Sequence, residues 1–443
     1  MMRSLAAFCT AVVLLVSLAA SVRELPAQTL VTADRIGRPD APIVISWQAI
    51  PTYSLQNPFP ARKEYLTRAA EAWILKHPDV RIDPLVSPGN ISEAMTRLLE
   101  QAAARRAPDV AQIDGFVLPR YFPLLQPLGV YVPRADLDDL FPFARSEMTA
   151  PDGTVRALRF TTDVRVLYYR KDLVPAPPQT WDELIGVASR VAKEKGIAGF
   201  LYSAGRDEGA VFDTMLPWLC GQGAKLVDAA GRPVFNEGKN REALLNILRF
   251  ERRTVESGAT PTRVVTIGQS SDINRDAAAG QVAMFIGGNW QVAQLKEILP
   301  APQFAQWDVA PVPQMVKGQR GTAAGGWAWG LFTPDPRKQR LAVDFVEALY
   351  AGPEGMARWT KVGGYLPTRA TAYKHPVFAD DPLMPKFRAM LATACSRPPF
   401  PIYTTISAEL QVAAGDVVSG RKSAEDALAA VAQKVAAEYQ LSK

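Results

Sequence analysis

Apolar and polar positions alternate along the chain with two periods, and these periods predict strands and helices in turn. Short apolar runs rich in β-branched residues predict three strands, at 43–47, 80–86 and 109–114. Apolar residues three and four apart predict a helix over 62–77 and a second one that begins after Asn90, with Glu93 completing a capping pattern. This β-α-β-α-β order favours a mostly parallel sheet covered by helices.

The rest of the chain repeats this alternation. Strands are predicted at 165–169 and 282–286, and Thr180 with Glu183 has the pattern of a helix cap. Further helices are predicted over 242–256, from Pro336 and from Ser423. No stretch rich in glycine and serine divides the chain, so the pattern predicts two α/β lobes joined by several short crossovers.

The first residues have the pattern of a secretion signal. Arg3 precedes an uncharged apolar run of 16 residues, Leu5 to Ala20. That run is shorter than the ~20 residues of a membrane-spanning helix, and small residues follow it. We therefore predict a signal peptide within residues 1–27, cleaved after Ser21 or Ala27, and a periplasmic mature protein. An uncleaved segment would instead anchor the protein in the membrane.

Composition excludes several classes of protein. Hydrophobic residues make up 48% and charged residues 21%, which is typical of a soluble globular chain and not of a disordered one. The net charge of +6 is spread thinly, and no basic stripe predicts a nucleic-acid partner. Beyond the predicted signal, only Cys220 and Cys395 remain. Two alternatives stay open for them: a disulfide in an oxidising compartment, or two separate buried thiols.

The sequence shows no recognisable catalytic constellation. Its two histidines, His77 and His375, lie outside any metal-ligand spacing, and no nucleophile elbow or phosphate-binding glycine loop occurs. We therefore predict a protein that is not an enzyme and that needs no cofactor and no metal. A glycosidase-like pair of carboxylates, for example Asp114 and Asp163, remains the distant alternative.

A series of short motifs carries a more specific resemblance. In chain order they are Ile45-Ser46-Trp47, His77-Pro78-Asp79-Val80, Pro108–Asp114, Asp163–Leu173, Pro177–Leu184, Gly287–Trp290, Gly325–Trp327, Gly363–Pro367 and Arg397–Tyr403. With these motifs the chain resembles the solute-binding proteins of carbohydrate ABC importers, the extracellular family 1, nearest to its maltose- and trehalose-binding group. The resemblance covers essentially the whole chain after the signal.

The resemblance implies a two-lobed periplasmic-binding-protein fold that bends at a hinge. The chain would cross between the lobes three times, near 160–162, 311–313 and 366–368. One lobe would hold residues 40–160 and 312–366, and the other residues 161–311 and 367–443. The ligand would lie between the lobes, where open α/β sheets place ligands at the carboxyl ends of their strands.

The resemblance also implies which residues bind the ligand. Aromatic rings cover the apolar faces of a sugar ring, and carboxylates and arginine bind its hydroxyls. The positions that match are Trp290 and Trp327 as platforms, Asp114, Asp163 and Arg397 as polar groups, the amides of Gly325 and Gly326, Tyr365, and more loosely Glu208 and Glu64. Other roles stay open: Asp114 as a helix cap, Arg397 as an interlobe salt bridge, and the two tryptophans as core residues.

Two stretches depart from the family pattern. Arg159 stands where a proline is common, and Thr161 stands where an aromatic residue occurs in the nearest sugar binders. The loop 47–61 is unusually rich in proline, and we expect it to border the cleft.

The sequence therefore predicts a monomer that captures a sugar, an oligosaccharide such as a disaccharide, and delivers it to an ABC import permease. A polyol or a sugar-phosphate ester is the alternative ligand, and a secreted carbohydrate-active enzyme is the distant alternative function.

Overall fold

The computed structural model of the protein describes residues 29–441, so the predicted signal peptide lies outside the described residues. Within this part, no helix is both long enough and apolar enough to cross a membrane. Two sheets organise the described chain, each with its own hydrophobic core. The strands are β1 (Ile36–Gly37), β2 (Ile43–Ala49), β3 (Val80–Val86), β4 (Val110–Asp114), β5 (Ala157–Arg159), β6 (Arg165–Arg170), β7 (Ala198–Leu201), β8 (Val282–Gly288), β9 (Trp307–Ala310), β10 (Thr322–Ala323), β11 (Trp327–Leu331) and β12 (Ala394–Cys395).

Sixteen α-helices lie in residues 29–441, and most of them cover the two sheets. They are α1 (Pro60–Ile74), α2 (Ile91–Ala103), α3 (Leu118–Tyr121), α4 (Arg134–Asp138), α5 (Pro142–Met148), α6 (Trp181–Lys195), α7 (Leu216–Gly221), α8 (Gly238–Glu256), α9 (Asn274–Ala278), α10 (Gln291–Ile298), α11 (Ala301–Phe304), α12 (Pro336–Val346), α13 (Pro353–Gly363), α14 (Met384–Leu391), α15 (Ile402–Val418) and α16 (Ala424–Leu441). A π-helix, Ala210–Met215, leads directly into α7.

The larger sheet has the strand order β1-β3-β2-β4-β11-β5. Strand β2 pairs in parallel with β3 and β4, which confirms the parallel β-α-β-α-β unit predicted from the first third of the chain. Asn90 caps α2 by accepting a hydrogen bond from the Glu93 amide, as its spacing predicted. Strand β11 runs antiparallel between β4 and β5 and places Trp327 opposite Asp114.

The smaller sheet has the order β7-β8-β6-β9. Strand β6 is antiparallel to both β8 and β9, so this sheet is mixed rather than mostly parallel. Strand β8 is buried along its whole length and ends at Gly287 and Gly288, next to the start of β6. Both sheets therefore end beside the same space between the cores.

The chain passes between the two cores three times within the described residues. The first passage runs from Phe160 to Val164, and the third lies at Tyr365–Leu366, close to where the sequence placed them. The expected second passage near 311–313 is wrong, because Val312 and Ala323 are buried in the second core. The chain stays there through β10, which pairs with β12, and crosses only at 324–326.

Cys220 and Cys395 form a disulfide, with their Cα atoms 6.0 Å apart. Of the two alternatives left open by the sequence, the bridge is therefore confirmed. It joins the end of α7 to β12, across a sequence separation of 175 residues.

Candidate functional site

A cavity of about 330 Å³ lies between the two cores. Both halves of the molecule contribute to its wall, and the residues used below are Tyr53, Asp114, Gly326, Trp327 and Tyr365 from one side and Asp163, Arg165, Asp207, Glu208, Phe212, Asp213, Trp290 and Arg397 from the other. The loop after β2 also lines it with Ile50, Pro51, Thr52 and Phe59, so this proline-rich loop borders the cleft as expected.

Eight of the ten residues that the sequence assigned to the ligand site line this cavity: Asp114, Asp163, Glu208, Trp290, Gly326, Trp327, Tyr365 and Arg397. The other two, Glu64 and Gly325, do not line it. Glu64 lies on α1, where its exposed side chain pairs with Arg68 one helical turn away, because α1 turns this face to solvent. Gly325 lies beside the cavity, but its N–H donates to Asp163 at 2.7 Å and its carbonyl accepts from Arg159 at 2.6 Å. The polar groups of Gly325 are therefore bound by the protein itself.

Arg397 joins the two sides of the cavity. Its Nη2 donates to Asp114 Oδ1 at 2.5 Å, and its Nη1 lies 3.7 Å from Glu208 Oε1. All three side chains are at least nine-tenths buried. Asp114 ends β4 in the first core, while Arg397 follows β12 in the second half, so the interlobe salt bridge considered for Arg397 is present. Because this pair is buried, its loss would leave an uncompensated charge inside the protein.

Two residues of helix α15 bind the carboxylate of Glu208. Tyr403 and Ser407 donate their hydroxyls to its two carboxylate oxygens, at 2.5 and 2.6 Å. Burial raises the pKa of Glu208, and the charge of Arg397 opposes this rise together with the two hydroxyls. The neighbouring carboxyl of Asp207 also has a pKa raised by burial. Glu208 thus acts on the cavity mainly by holding Arg397.

Arg165 forms the second buried ionic group, and sequence reasoning missed it. Its guanidinium pairs with Asp163 and, at 2.7–2.8 Å, with Asp213. Arg165 begins β6 two residues after Asp163, inside a motif that the sequence analysis had already singled out. Asp213 lies on the π-helix. No local sequence pattern predicted the wider turn of this helix.

Aromatic rings and guanidinium groups alternate in a stack, four of whose five members line the cavity. The Arg397 guanidinium lies 3.9 Å from the centre of the Phe116 ring and 3.8 Å from that of Phe212. Arg165 covers the opposite part of this stack, 3.7 Å from the Phe212 ring and 4.8 Å from the Trp290 ring. Cation–π attraction is strongest where water is excluded, so this stack of three rings and two guanidinium groups makes one side of the cavity rigid. Phe212 was not predicted from the sequence.

The aromatic side of the cavity is partly core. Trp327 is 7% exposed and its ring packs 5.7 Å from Tyr53, which in turn stacks on Tyr365 at 5.3 Å. Trp290 is half-buried, and its indole N–H donates to Ser271 at 3.3 Å. Trp327 therefore lines the cavity with one edge while its other side supports the first core. Of the two roles that the sequence left open for it, the core role is confirmed, and the role as a ligand platform stays a prediction.

Two carboxylate oxygens remain available inside the cavity. Hydrogen bonds to Asp114 and Asp163 reach Oδ1 of each side chain, and no residue of the described chain donates to either Oδ2. Both guanidinium groups, in contrast, are already paired with carboxylates. The cavity thus offers acceptors for hydroxyl groups beside apolar ring surfaces, and it offers no free cation.

Comparison with known proteins assigns the chain to a family. A family model described as bacterial extracellular solute-binding protein matches residues 69–386, more than half of the chain. A probable ABC transporter-binding protein of Deinococcus radiodurans is 29% identical over 328 residues, which cover 69% of this chain and 73% of the relative. A maltotriose-binding protein of Pyrococcus abyssi is 22% identical, with 68% of this chain and 63% of the relative covered.

Solved structures support the same fold. A maltose-bound T. maritima protein, MalE3, superposes with a TM-score of 0.77 at 23% identity, covering 89% of this chain and 99% of its own. The acarbose receptor GacH of Streptomyces glaucescens superposes with a TM-score of 0.74 at 22% identity, covering 90% and 98%. At these identities the likeness shows the fold, which is the expected two-lobed one. This family consists of binding proteins and not of enzymes. The chain belongs to the bacterial extracellular solute-binding proteins.

Proposed function

We propose that this protein captures a sugar, an oligosaccharide such as a disaccharide, in the periplasm and delivers it to an ABC import permease. The observation that carries the proposal is the pairing, in one buried cavity, of aromatic surfaces with the open Oδ2 atoms of Asp114 and Asp163. The names of the relatives, which include maltotriose- and maltodextrin-binding proteins, support the same ligand class.

The size of the cavity supports a short sugar. Its volume of about 330 Å³ is near the lower end of the ~300–1,000 Å³ that small-ligand sites span. A long polysaccharide would not fit inside and would have to extend out of the cleft into solvent. We therefore expect the cavity to enclose one or two sugar rings.

The charges of the lining disfavour a sugar-phosphate ester. Five carboxylates line the cavity, namely those of Asp114, Asp163, Asp207, Glu208 and Asp213, against the two guanidinium groups of Arg165 and Arg397. Since both cations already have acidic partners, a phosphate would meet net negative charge and would have to compete with these carboxylates for the guanidinium groups. A neutral sugar keeps all of these pairs.

Binding would work by closure of the two halves. Contacts across the cleft include the buried Arg397–Asp114 pair and a hydrogen bond of 2.8 Å from Asn90 to Asp207 at the exposed rim. A ligand that contacts both sides stabilises this closed arrangement by its differential affinity. The closed form is then the state that a permease would recognise.

A thermal-shift screen of the mature protein tests the proposal. The panel is maltose, maltotriose, trehalose and glucose, with glucose 6-phosphate as the anionic control. A true ligand at 100 times its dissociation constant should add ~2.7 kcal/mol to the free energy of unfolding. We expect a neutral oligosaccharide to raise the melting temperature and glucose 6-phosphate to leave it unchanged.

The same screen includes the variant Trp290→Ala, which tests whether the ligand contacts this side chain. Loss of a half-buried aromatic contact should weaken binding by about 2 kcal/mol, or ~30-fold. Calorimetric titration would measure this loss. A preference for glucose 6-phosphate, or no response to any sugar, would contradict the proposal.

A further inference from the structure

The segment that carries Arg397 has little regular structure to hold it. Strand β12 has only two residues, and residues 396–401 belong to no helix or strand. Yet Arg397 is buried, and its guanidinium reaches Asp114 across the cleft at 2.5 Å. An arginine side chain has many rotamers, so placing its charged end this closely requires a well-held backbone.

The disulfide lies beside this segment. Cys395 precedes Arg397 by two residues, and its partner Cys220 is in the last turn of α7. Helix α7 continues the π-helix that carries Phe212 and Asp213. The bridge thus ties together the backbones of the two segments whose side chains meet at 3.8 Å in the Arg397–Phe212 contact.

Non-covalent contacts hold the same place less firmly. The amide of Ala324 donates to the Cys395 carbonyl at 2.9 Å, and β12 pairs with β10 through only two residue pairs. Gly321, just before β10, packs so closely on the backbone of Gly221 and Pro217 that a side chain there would not fit. Both cysteines are half-buried, so the bridge is at the edge of the core and not at its centre.

We propose that the Cys220–Cys395 disulfide is a positioning element of the ligand site, which holds Arg397 in the register that reaches Asp114 and Phe212. This inference rests on the proposed function. Opening the bridge leaves the fold in place but lets residues 394–401 shift, so Arg397 is no longer held against Asp114 and Phe212 before the ligand binds. Ligand affinity then falls, because part of the binding free energy is used to order the Arg397 side chain.

A double-mutant cycle tests this proposal. Four proteins are compared: wild type, Cys220→Ser/Cys395→Ser, Arg397→Ala, and the triple variant that combines them. Maltotriose binding is measured by calorimetric titration. If the bridge acts through Arg397, its removal weakens binding about tenfold in the wild-type background and less than about twofold when Arg397 is already absent.

A matched control separates positioning from stability. Val431→Ala truncates a core residue of α16, 2% exposed and outside the cavity, and lowers the melting temperature without touching residues 394–401. We expect it to leave maltotriose affinity unchanged. Equal affinity in wild type and the cysteine variant, or an equal loss in both backgrounds of the cycle, would overturn the inference.

A ligand-free measurement keeps this inference distinct from the proposed function. Small-angle X-ray scattering of the same four proteins reports how far the halves are closed. We expect the cysteine variant to be more open than wild type and the triple variant to be no more open than Arg397→Ala. If wild type binds no sugar, the proposed function fails, and this scattering result still decides the role of the bridge.

Discussion

At the scale of single residues, the charges in the cleft serve mainly to fix one another. Arg165 and Arg397 each bind two carboxylates and lie against aromatic rings. Carboxylates bind the edge of each guanidinium group and aromatic rings cover its face, so the group has little freedom to rearrange for a ligand. The consequence is a cleft whose charged groups are preorganised, while the Oδ2 atoms of Asp114 and Asp163 accept no hydrogen bond from the described residues.

Glu251 is a buried acid outside this arrangement. Its side chain is completely buried on α8, and neither carboxylate oxygen has a hydrogen-bond partner among the described residues. Burial raises its pKa well above the ordinary 4.5. The folded protein therefore favours the protonated form of Glu251 more than the unfolded chain does, so stability is lost as pH rises above about 4.5 toward the folded pKa.

We accordingly predict that Glu251→Met stabilises the protein. Removing the unsatisfied buried carboxyl should contribute about 1–3 kcal/mol at every pH. Above about pH 4.5 the gain should grow further, because deprotonation of Glu251 then favours the unfolded wild-type chain. Chemical denaturation at several pH values measures it. Glu256→Gln, on the exposed end of the same helix, is the control and should change stability little. A gain that does not depend on pH would contradict the explanation.

At the scale of elements, Arg159 fastens the three passages between the cores. Its guanidinium donates to the carbonyls of Gly325 and Thr161, at 2.6 and 3.3 Å, and pairs with Glu147. Its own carbonyl accepts from the Thr368 hydroxyl at 2.9 Å. A proline in this position would fix the backbone of one passage only. The departure from the family pattern thus gives this chain a side chain that links the first two passages, while the backbone carbonyl of the same residue binds the third.

We predict that Arg159→Met costs about 3 kcal/mol of stability, because Glu147 loses its partner and two buried carbonyls lose charge-assisted donors. In the double variant Arg159→Met/Glu147→Leu the unpaired charge is gone but the carbonyls remain unpaired. Less than half of the loss should therefore be recovered in denaturant titrations. Full recovery would show that the charge of Glu147 alone carries the effect. Arg134→Met, which breaks an exposed pair with Asp138, should cost no more than ~1 kcal/mol.

At the scale of the whole molecule, closure depends on few bonds. Within the described chain, the Arg397–Asp114 pair is the buried ionic contact between the first core and the segment after β12. The Asn90–Asp207 hydrogen bond lies in solvent at the rim, where such a bond contributes little. The balance between open and closed forms should therefore respond most to the buried pair.

We predict that Asp114→Asn opens the ligand-free protein. A hydrogen bond between charged groups contributes about 1.5–3 kcal/mol, so the ratio of closed to open molecules should fall about tenfold or more. Small-angle scattering would show this as a larger radius of gyration. Asp163→Asn removes the same charge, but its partners Arg165 and Gly325 lie outside the first core, so it should leave the radius nearly unchanged. Equal opening by both variants would contradict this assignment.

Local patterns in the sequence account for most of the elements. The strand at 80–86 has the predicted bounds, and the caps at Asn90 and Thr180 both accept the predicted amide hydrogen bond. These features depend on residues a few positions apart, so a single segment contains the information. The expected crossing near 311–313 depended instead on which core the segment packs against, and packing there is decided by β12, more than 70 residues farther on.

The sequence alone indicated the family and the fold class, and its resemblance to the family implied eight residues that line the cavity, because short motifs in chain order are readable without knowing the tertiary structure. Tertiary structure decided what each of these groups binds. Arg397 and Asp114 are 283 residues apart, and only the folded chain brings them together. It also placed Glu64 outside the cavity, since the rotation of α1 sets which way a helical side chain points. The residue type tells whether a side chain is charged. Its partner depends on which groups come close in space, and for distant residues this is decided only when long segments of the chain pack together.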